Sequence, residues 1–142
     1  MAKIADPVTN KIMEVQYLEK VAQSLQQRFS YVEAAIAELQ IALSTVKNLS
    51  QESGGTDLLV PVGGGSYVRA KAADVERVIV GIGADIALEK TVKEATEDYQ
   101  TRIDELRQVR SSLSQEIGKV VSNITKARQE LQMLAKKQPE GT

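Results

Sequence analysis

Leu58-Leu59-Val60-Pro61-Val62-Gly63-Gly64-Gly65-Ser66-Tyr67-Val68-Arg69, followed by Val78-Ile79-Val80-Gly81-Ile82-Gly83-Ala84-Asp85-Ile86-Ala87-Leu88-Glu89-Lys90, is the stretch that decides the fold. Four runs rich in branched aliphatic residues, about 58–62, 66–71, 75–82 and 84–90, are separated by the triple glycine, by Ala73-Asp74 and by the Gly81 to Gly83 region. That pattern predicts two successive β-hairpins. Along a strand successive side chains point to opposite faces. Leu58, Val60 and Val62 therefore share one face and Leu59 the other, while Val78, Val80 and Ile82 oppose Ile79. Both faces ask for cover, and a pair of hairpins leaves unpaired strand edges and has only marginal stability in water. The stretch reads as an assembly module, with Leu58, Val60, Val62, Val68, Val78, Val80, Ile82, Ile86 and Leu88 as its subunit-contact residues.

On either side lie helical repeats. Asp6-Pro7 is a helix start, because Asp accepts from free amides of the first turn and Pro suits the first helical position. From Val15 the apolar residues alternate by three and four: Val15, Leu18, Ala22, Leu25, Phe29, Val32, Ile36, Leu39, Leu43 and Val46. This is the narrow stripe of a coiled coil. At 1.5 Å per residue the run spans about 48 Å. Ser53-Gly54-Gly55 is expected to stop the helix, since glycine takes the left-handed conformation readily.

Thr91-Val92-Lys93-Glu94 is a capping-box pattern that opens the second repeat. Its seam is Val92, Thr96, Tyr99, Ile103, Leu106, Arg110, Leu113, Ile117, Val120, Ile124, Ala127, Leu131 and Leu134, out of character only at Thr96 and Arg110. Arg110 either snorkels to the edge with its stem packed or sets register as a buried polar group. Pro139 is expected to end the helix and Gln138 to Thr142 to fray. Two such helices joined by a short β unit return alongside each other. The expected fold is mainly α: a long intramolecular antiparallel coiled coil with two β-hairpins at its closed end. Residues 1–142 form one domain, with helix 1 at about 7–52, the hairpin head at about 58–90 and helix 2 at about 92–138. Placing Val46 beside Val92 sets paired indices adding to about 138, with Val15 near Asn123 and Ile4 near Leu134, roughly 60 to 70 Å from the hairpins by the helical rise.

Composition narrows function. The chain has 142 residues with no Trp, one Phe and four Tyr, closer to coiled-coil usage than to that of a large globular core. Its 18 basic residues nearly balance 19 acidic ones, so no net field draws it to nucleic acid or an anionic membrane. Neither Cys nor His is present, which removes the thiol nucleophile, the thiolate metal site and the commonest general base. An enzyme is not expected, nor any cofactor or metal. No apolar run reaches the length of a membrane span, and Met1 to Pro7 lacks the apolar core of a signal peptide, so the cytoplasm is the expected compartment.

The glycine run 63–65 imitates a phosphate cradle, but such loops need a helix N-terminus behind them, and here a strand follows. The same objection applies to Gly81-Ile82-Gly83-Ala84. Carboxylates such as Asp98, Asp104 and Glu105 read as a solvated helix face, with Asp98 to Arg102 and Glu89 to Lys93 in the supportive i, i+4 order. Pro61 removes a ladder donor, so its nitrogen is expected at an edge or a bulge. Near the free ends of the coil, Ile4, Val8, Ile12 and Met13 on one helix approach Leu131, Met133 and Leu134 on the other. They either continue the seam or form a soft apolar patch for varied partners.

The order of parts and the wording of the two hairpins resemble the alpha-type subunit of prefoldin over nearly the whole chain. The double hairpin carries the resemblance, because beta-type subunits are understood to have only one. The resemblance implies an ATP-independent chaperone subunit, in a hexamer of two alpha-type and four beta-type subunits. Its hairpins would build a β-barrel platform, and its coiled-coil tips would bind non-native polypeptides and hand them to a group II chaperonin. The alternative is a structural tether or filament-forming subunit assembled through the same β head.

Overall fold

The computed structural model describes residues 6–51, 55–73 and 75–137. Helix α1 (Pro7–Gln51, 45 residues) is followed by β1 (Asp57–Gly63), β2 (Ser66–Lys71), β3 (Arg77–Gly83), β4 (Ile86–Thr91) and α2 (Val92–Lys137, 46 residues). The expectations for Ile4, Ser53, Gly54, Asp74 and Pro139, and for fraying over 138–142, lie outside the described residues.

Local chemistry sets the ends. Asp6 Oδ1 accepts from the Val8 amide at 3.2 Å and Thr91 Oγ1 from the Glu94 amide at 3.1 Å, so each helix opens on a side-chain cap. Beyond α1, Gly55 has φ of 85°, and a Cβ there would lie 3.3 Å from the Ala72 carbonyl. Only glycine meets both demands without strain.

Two compact units make up the chain, residues 1–34 with 108–142 and residues 35–107. In the first, α1 and α2 run antiparallel. Lys11 pairs with Glu130, Glu19 with Arg128 and Glu33 with Arg110, so that partner numbers fall as α1 advances. Val15, Leu25, Leu113, Ile124 and Ala127 are buried, while Leu18, Ala22, Phe29, Val32, Ile117, Val120, Leu131 and Leu134 are half-buried. Every expected seam position in this unit is thus withdrawn from solvent, as a coiled-coil stripe requires. Arg110 reaches Glu33 at 3.7 Å with its side chain 38% exposed, which is the snorkelling arrangement.

The register differs from expectation. The three ion pairs have indices adding to 141, 147 and 143, where about 138 was expected. That expectation opposed Val46 to Val92, but α1 continues to Gln51 while α2 begins at Val92. Opposing Gln51 to Val92 moves the sum to 143. Val15 accordingly lies level with the turn around Arg128, not Asn123.

In the second unit, Ile36, Val46, Ala95 and Ile103 are buried, and Ala95 is 0% exposed although it is not a seam position of the sequence pattern. The strands pair only as β1 with β2 and β3 with β4, both antiparallel. The register shifts between Pro61 and Gly63, so of the two placements expected for Pro61, an edge or a bulge, it borders a bulge. The strand expected from 75 begins at Arg77, and the one expected from 84 begins at Ile86, because Ala84 and Asp85 take φ of 52° and 59° and form the turn. The turn thus sits just past Gly83, and Ala84 is the residue whose left-handed conformation composition does not announce, since Asp enters that region more readily. Two expected charge pairs also change. Lys90 reaches Asp98, and Arg77 reaches Glu89 across the hairpin at 3.4 Å. Glu89 lies on β4, before α2 begins, so no helical turn carries it to Lys93, and Arg77 is its diagonal neighbour on β3.

Candidate functional site

Two groups of exposed apolar side chains stand out from a molecule with no buried polar side chain among its described residues. The first is in the hairpins. Val60, Val62, Val68, Ile82, Ile86 and Leu88 are exposed, Leu58 and Val78 are half-buried and Val80 is buried. The contrast between Val60 at 43% exposure and Val80 at 4% is informative, because the two occupy the same place in their hairpins. Val80 is already covered; Val60 is not. Tyr67, Leu59 and Ile79, on the opposite faces, are exposed as well. Of these, Tyr67 escaped the sequence reading, although its cross-strand pairing with Pro61 follows from the same alternation.

The second group lies where the first turns of α1 run beside the last turns of α2. Index sums of 142 and 143 set Val8 level with Leu134 and Ile12 level with Leu131. Val8, Leu131 and Leu134 are half-buried and continue the seam, whereas Ile12, Met13 and Met133 are exposed, the two methionines at 61% and 59%. Ile4 lies outside the described residues. Polar tethers hold this end: Lys11 Nζ donates to Glu130 Oε2 at 2.7 Å and to Glu14 Oε2 at 2.8 Å. Those hydrogen bonds raise the Lys11 pKa above its ordinary value and lower that of Glu130. The sequence pattern did not point to this pair, since its members lie 119 residues apart.

No group of three or more His, Cys, Asp or Glu placed to hold a metal ion occurs among the described residues. No helix among them is long and apolar enough to cross a membrane. Both glycine-rich turns lead into strands, β2 and β4, with no helix N-terminus behind them.

The pairing of two long antiparallel helices with two hairpins has a counterpart among known proteins. Residues 18–137 match the family model described as prefoldin subunit. The chain belongs to the prefoldin family. Prefoldin subunit alpha of Methanococcus vannielii is 30% identical over 130 residues, covering 92% of this chain and 87% of that one. Prefoldin subunit alpha of Thermofilum pendens is 37% identical over 111 residues, covering 78% and 86%. These relatives are alpha subunits, in keeping with the two-hairpin resemblance. Among solved structures, the cryo-EM structure of filamentous PFD from Methanocaldococcus jannaschii is similar, with a TM-score of 0.69 and 28% identity over 83% of this chain and 98% of that one. Prefoldin subunits are chaperone subunits and not known enzymes, which agrees with a chain lacking His and Cys.

Proposed function

We propose that this prefoldin subunit is an ATP-independent holdase that binds unfolded polypeptides at the free end of its coil and passes them to a group II chaperonin. It works in the cytoplasm, within a hexamer of two alpha-type and four beta-type subunits joined through the hairpins. The observation that carries the reading is the exposure of Ile12, Met13 and Met133 beside half-buried Val8, Leu131 and Leu134, with Ile4 just before them in sequence. Methionine is unbranched and polarisable, so such a surface adapts to varied apolar segments. Each buried methylene is worth about 0.8 kcal/mol, which makes one coil end a weak binder. Several ends around one client raise the hold through effective concentration, and that is the use of an oligomer. Leu58, Val60, Val62, Val68, Val78, Ile82, Ile86 and Leu88 supply the apolar surface for assembly, with buried Val80 holding its hairpin in shape.

Trimming residues 1–13 and 131–142 tests the reading. The trimmed chain is expected to assemble with its beta-type partner and to lose suppression of client aggregation. Full suppression by a trimmed, assembled complex would defeat it. A second reading, a filament-forming or tethering subunit using the same hairpins, is favoured by the likeness to filamentous PFD. Under it the intact assembly would never suppress aggregation.

A further inference from the structure

Sulfur in this chain is confined to its two ends. There is no Cys, and the three methionines are residues 1, 13 and 133. Thiols and thioethers are the side chains that peroxides oxidise most readily. With Trp and His absent as well, the methionines are the side chains on which a mild oxidant acts. Met1 lies outside the described residues. Met13 stands in the first turns of α1 and Met133 in the last turns of α2. In the register fixed by the Lys11 to Glu130 and Glu33 to Arg110 pairs, Met133 is level with residues 8–10, within about 8 Å of Met13 along the coil axis.

Neither methionine holds the coil together. Met13 falls off the three-four pattern between half-buried Val8 and buried Val15, and Met133 falls between half-buried Leu131 and Leu134. Their exposures of 61% and 59% leave both thioethers open to a small solute. A core methionine would be shielded, and its oxidation would disrupt the packing around it. Here the sulfur is accessible and the seam is made by other residues, so oxidation can change the surface without unfolding the helices.

We propose that Met13 and Met133 are peroxide-modification sites, and that their conversion to sulfoxides releases clients from this end of the coil while fold and assembly persist. The thioether sulfur attacks one oxygen of hydrogen peroxide, an S–O bond forms and the O–O bond breaks. The departing hydroxide takes up the proton left on the transferred oxygen and leaves as water. Sulfur is oxidised by two electrons and the peroxide is reduced by two. The product carries a polar S=O acceptor on what was a flexible apolar side chain. In water that acceptor is hydrated. Against an apolar client segment, which offers no donor, it is desolvated and unpaired, so binding is penalised. The proposal rests on the reading of this end as the client surface and adds a modification that controls it.

The test oxidises this chain alone with hydrogen peroxide, removes the peroxide with catalase and then assembles the chain with untreated beta-type partner. Peptide mass mapping is expected to find one added oxygen at Met13 and one at Met133, with helix content, melting temperature and assembled mass unchanged. The amount of complex needed to suppress client aggregation is expected to rise several-fold, and to return after treatment with methionine sulfoxide reductases for both epimers. Met13→Leu with Met133→Leu, whatever its own level of suppression, is expected to give the same result with and without peroxide. Unoxidised sulfurs, undiminished suppression by the oxidised complex, or unfolding and loss of assembly on oxidation would each overturn the proposal. So would a leucine variant that still loses suppression under peroxide. An untreated natural complex that never suppresses aggregation removes the client reading and the switch with it, whereas one that suppresses equally before and after oxidation removes the switch alone.

Discussion

Lys11 and Glu130, 119 residues apart in sequence, meet at 2.7 Å where α1 begins and α2 ends. The pair ties together the two helical segments that carry the exposed methionines, so it bears on how firmly the proposed client surface is held.

Its pH dependence follows from the two pKa shifts. Glu130 is lowered from 4.5, so its contribution is present above that value and is lost as pH falls through the lowered pKa. Lys11 is raised from 10.5, so its contribution is complete below that value and is lost as pH rises through the raised pKa. Lys11→Met is therefore expected to weaken amide protection around residues 125–135 between about pH 5 and pH 10 and to make no difference in acid below the Glu130 pKa. Salt should shrink the effect, because both groups are partly exposed. An equal loss of protection in strong acid would show that packing, not the ion pair, is responsible.

Within the seam, Ile36 is 3% exposed, and Ile36→Ala is expected to cost about 2 to 5 kcal/mol. Ile41, on the same helix and 68% exposed, serves as the control: Ile41→Ser should stay within about 0.5 kcal/mol. Thermal unfolding reads both. Equal effects would mean that burial does not govern the stability of this helix.

Ala95 is 0% exposed, so a larger side chain there must fit entirely among covered neighbours. Ala95→Leu is expected to cost about 1 to 3 kcal/mol through overpacking, despite the better apolar character of leucine. A raised melting temperature would point to an unfilled space beside Ala95.

Val80→Asp with Ile82→Asp places charge in the second hairpin, and Val80 is buried while Ile82 is not. The double variant is expected to abolish assembly with most helix content retained. Ile82→Asp alone should do so without disturbing the hairpin, a distinction that amide exchange of β3 and β4 can draw. Assembly to full mass by both would place the interface elsewhere.

Met13→Ser with Met133→Ser removes the two most exposed apolar groups of the coil end without touching a buried position. Assembly and melting temperature are expected to hold, while the amount of complex needed to suppress client aggregation rises several-fold, in line with the loss of a few buried methylene equivalents. Unchanged suppression would shift the client contact to Ile12 and its seam neighbours.

Several of these expectations were legible in the residues alone. The three-four alternation from Val15 to Val46 and from Val92 to Leu134 reports burial directly, since a stripe two-sevenths wide can be covered only by another such stripe. The double hairpin was equally plain, because glycine and branched residues report turns and strands locally. The strand start at Ile86 was less so, since the left-handed turn includes Ala84, a residue without a signal for it.

By itself the sequence determined the two helices, their caps at Asp6 and Thr91, the seam, and the pair of hairpins. Each depends on chemistry within a few residues or on a period repeated along one element. Only the tertiary structure decided that Lys11 meets Glu130, that the paired indices add to about 143, and that Val80 is covered while its equivalent Val60 is open. These depend on where one element is set against another. A coiled-coil seam is nearly the same after a shift of one heptad, so the register is chosen by where α1 stops and α2 starts, a fact that no local pattern contains.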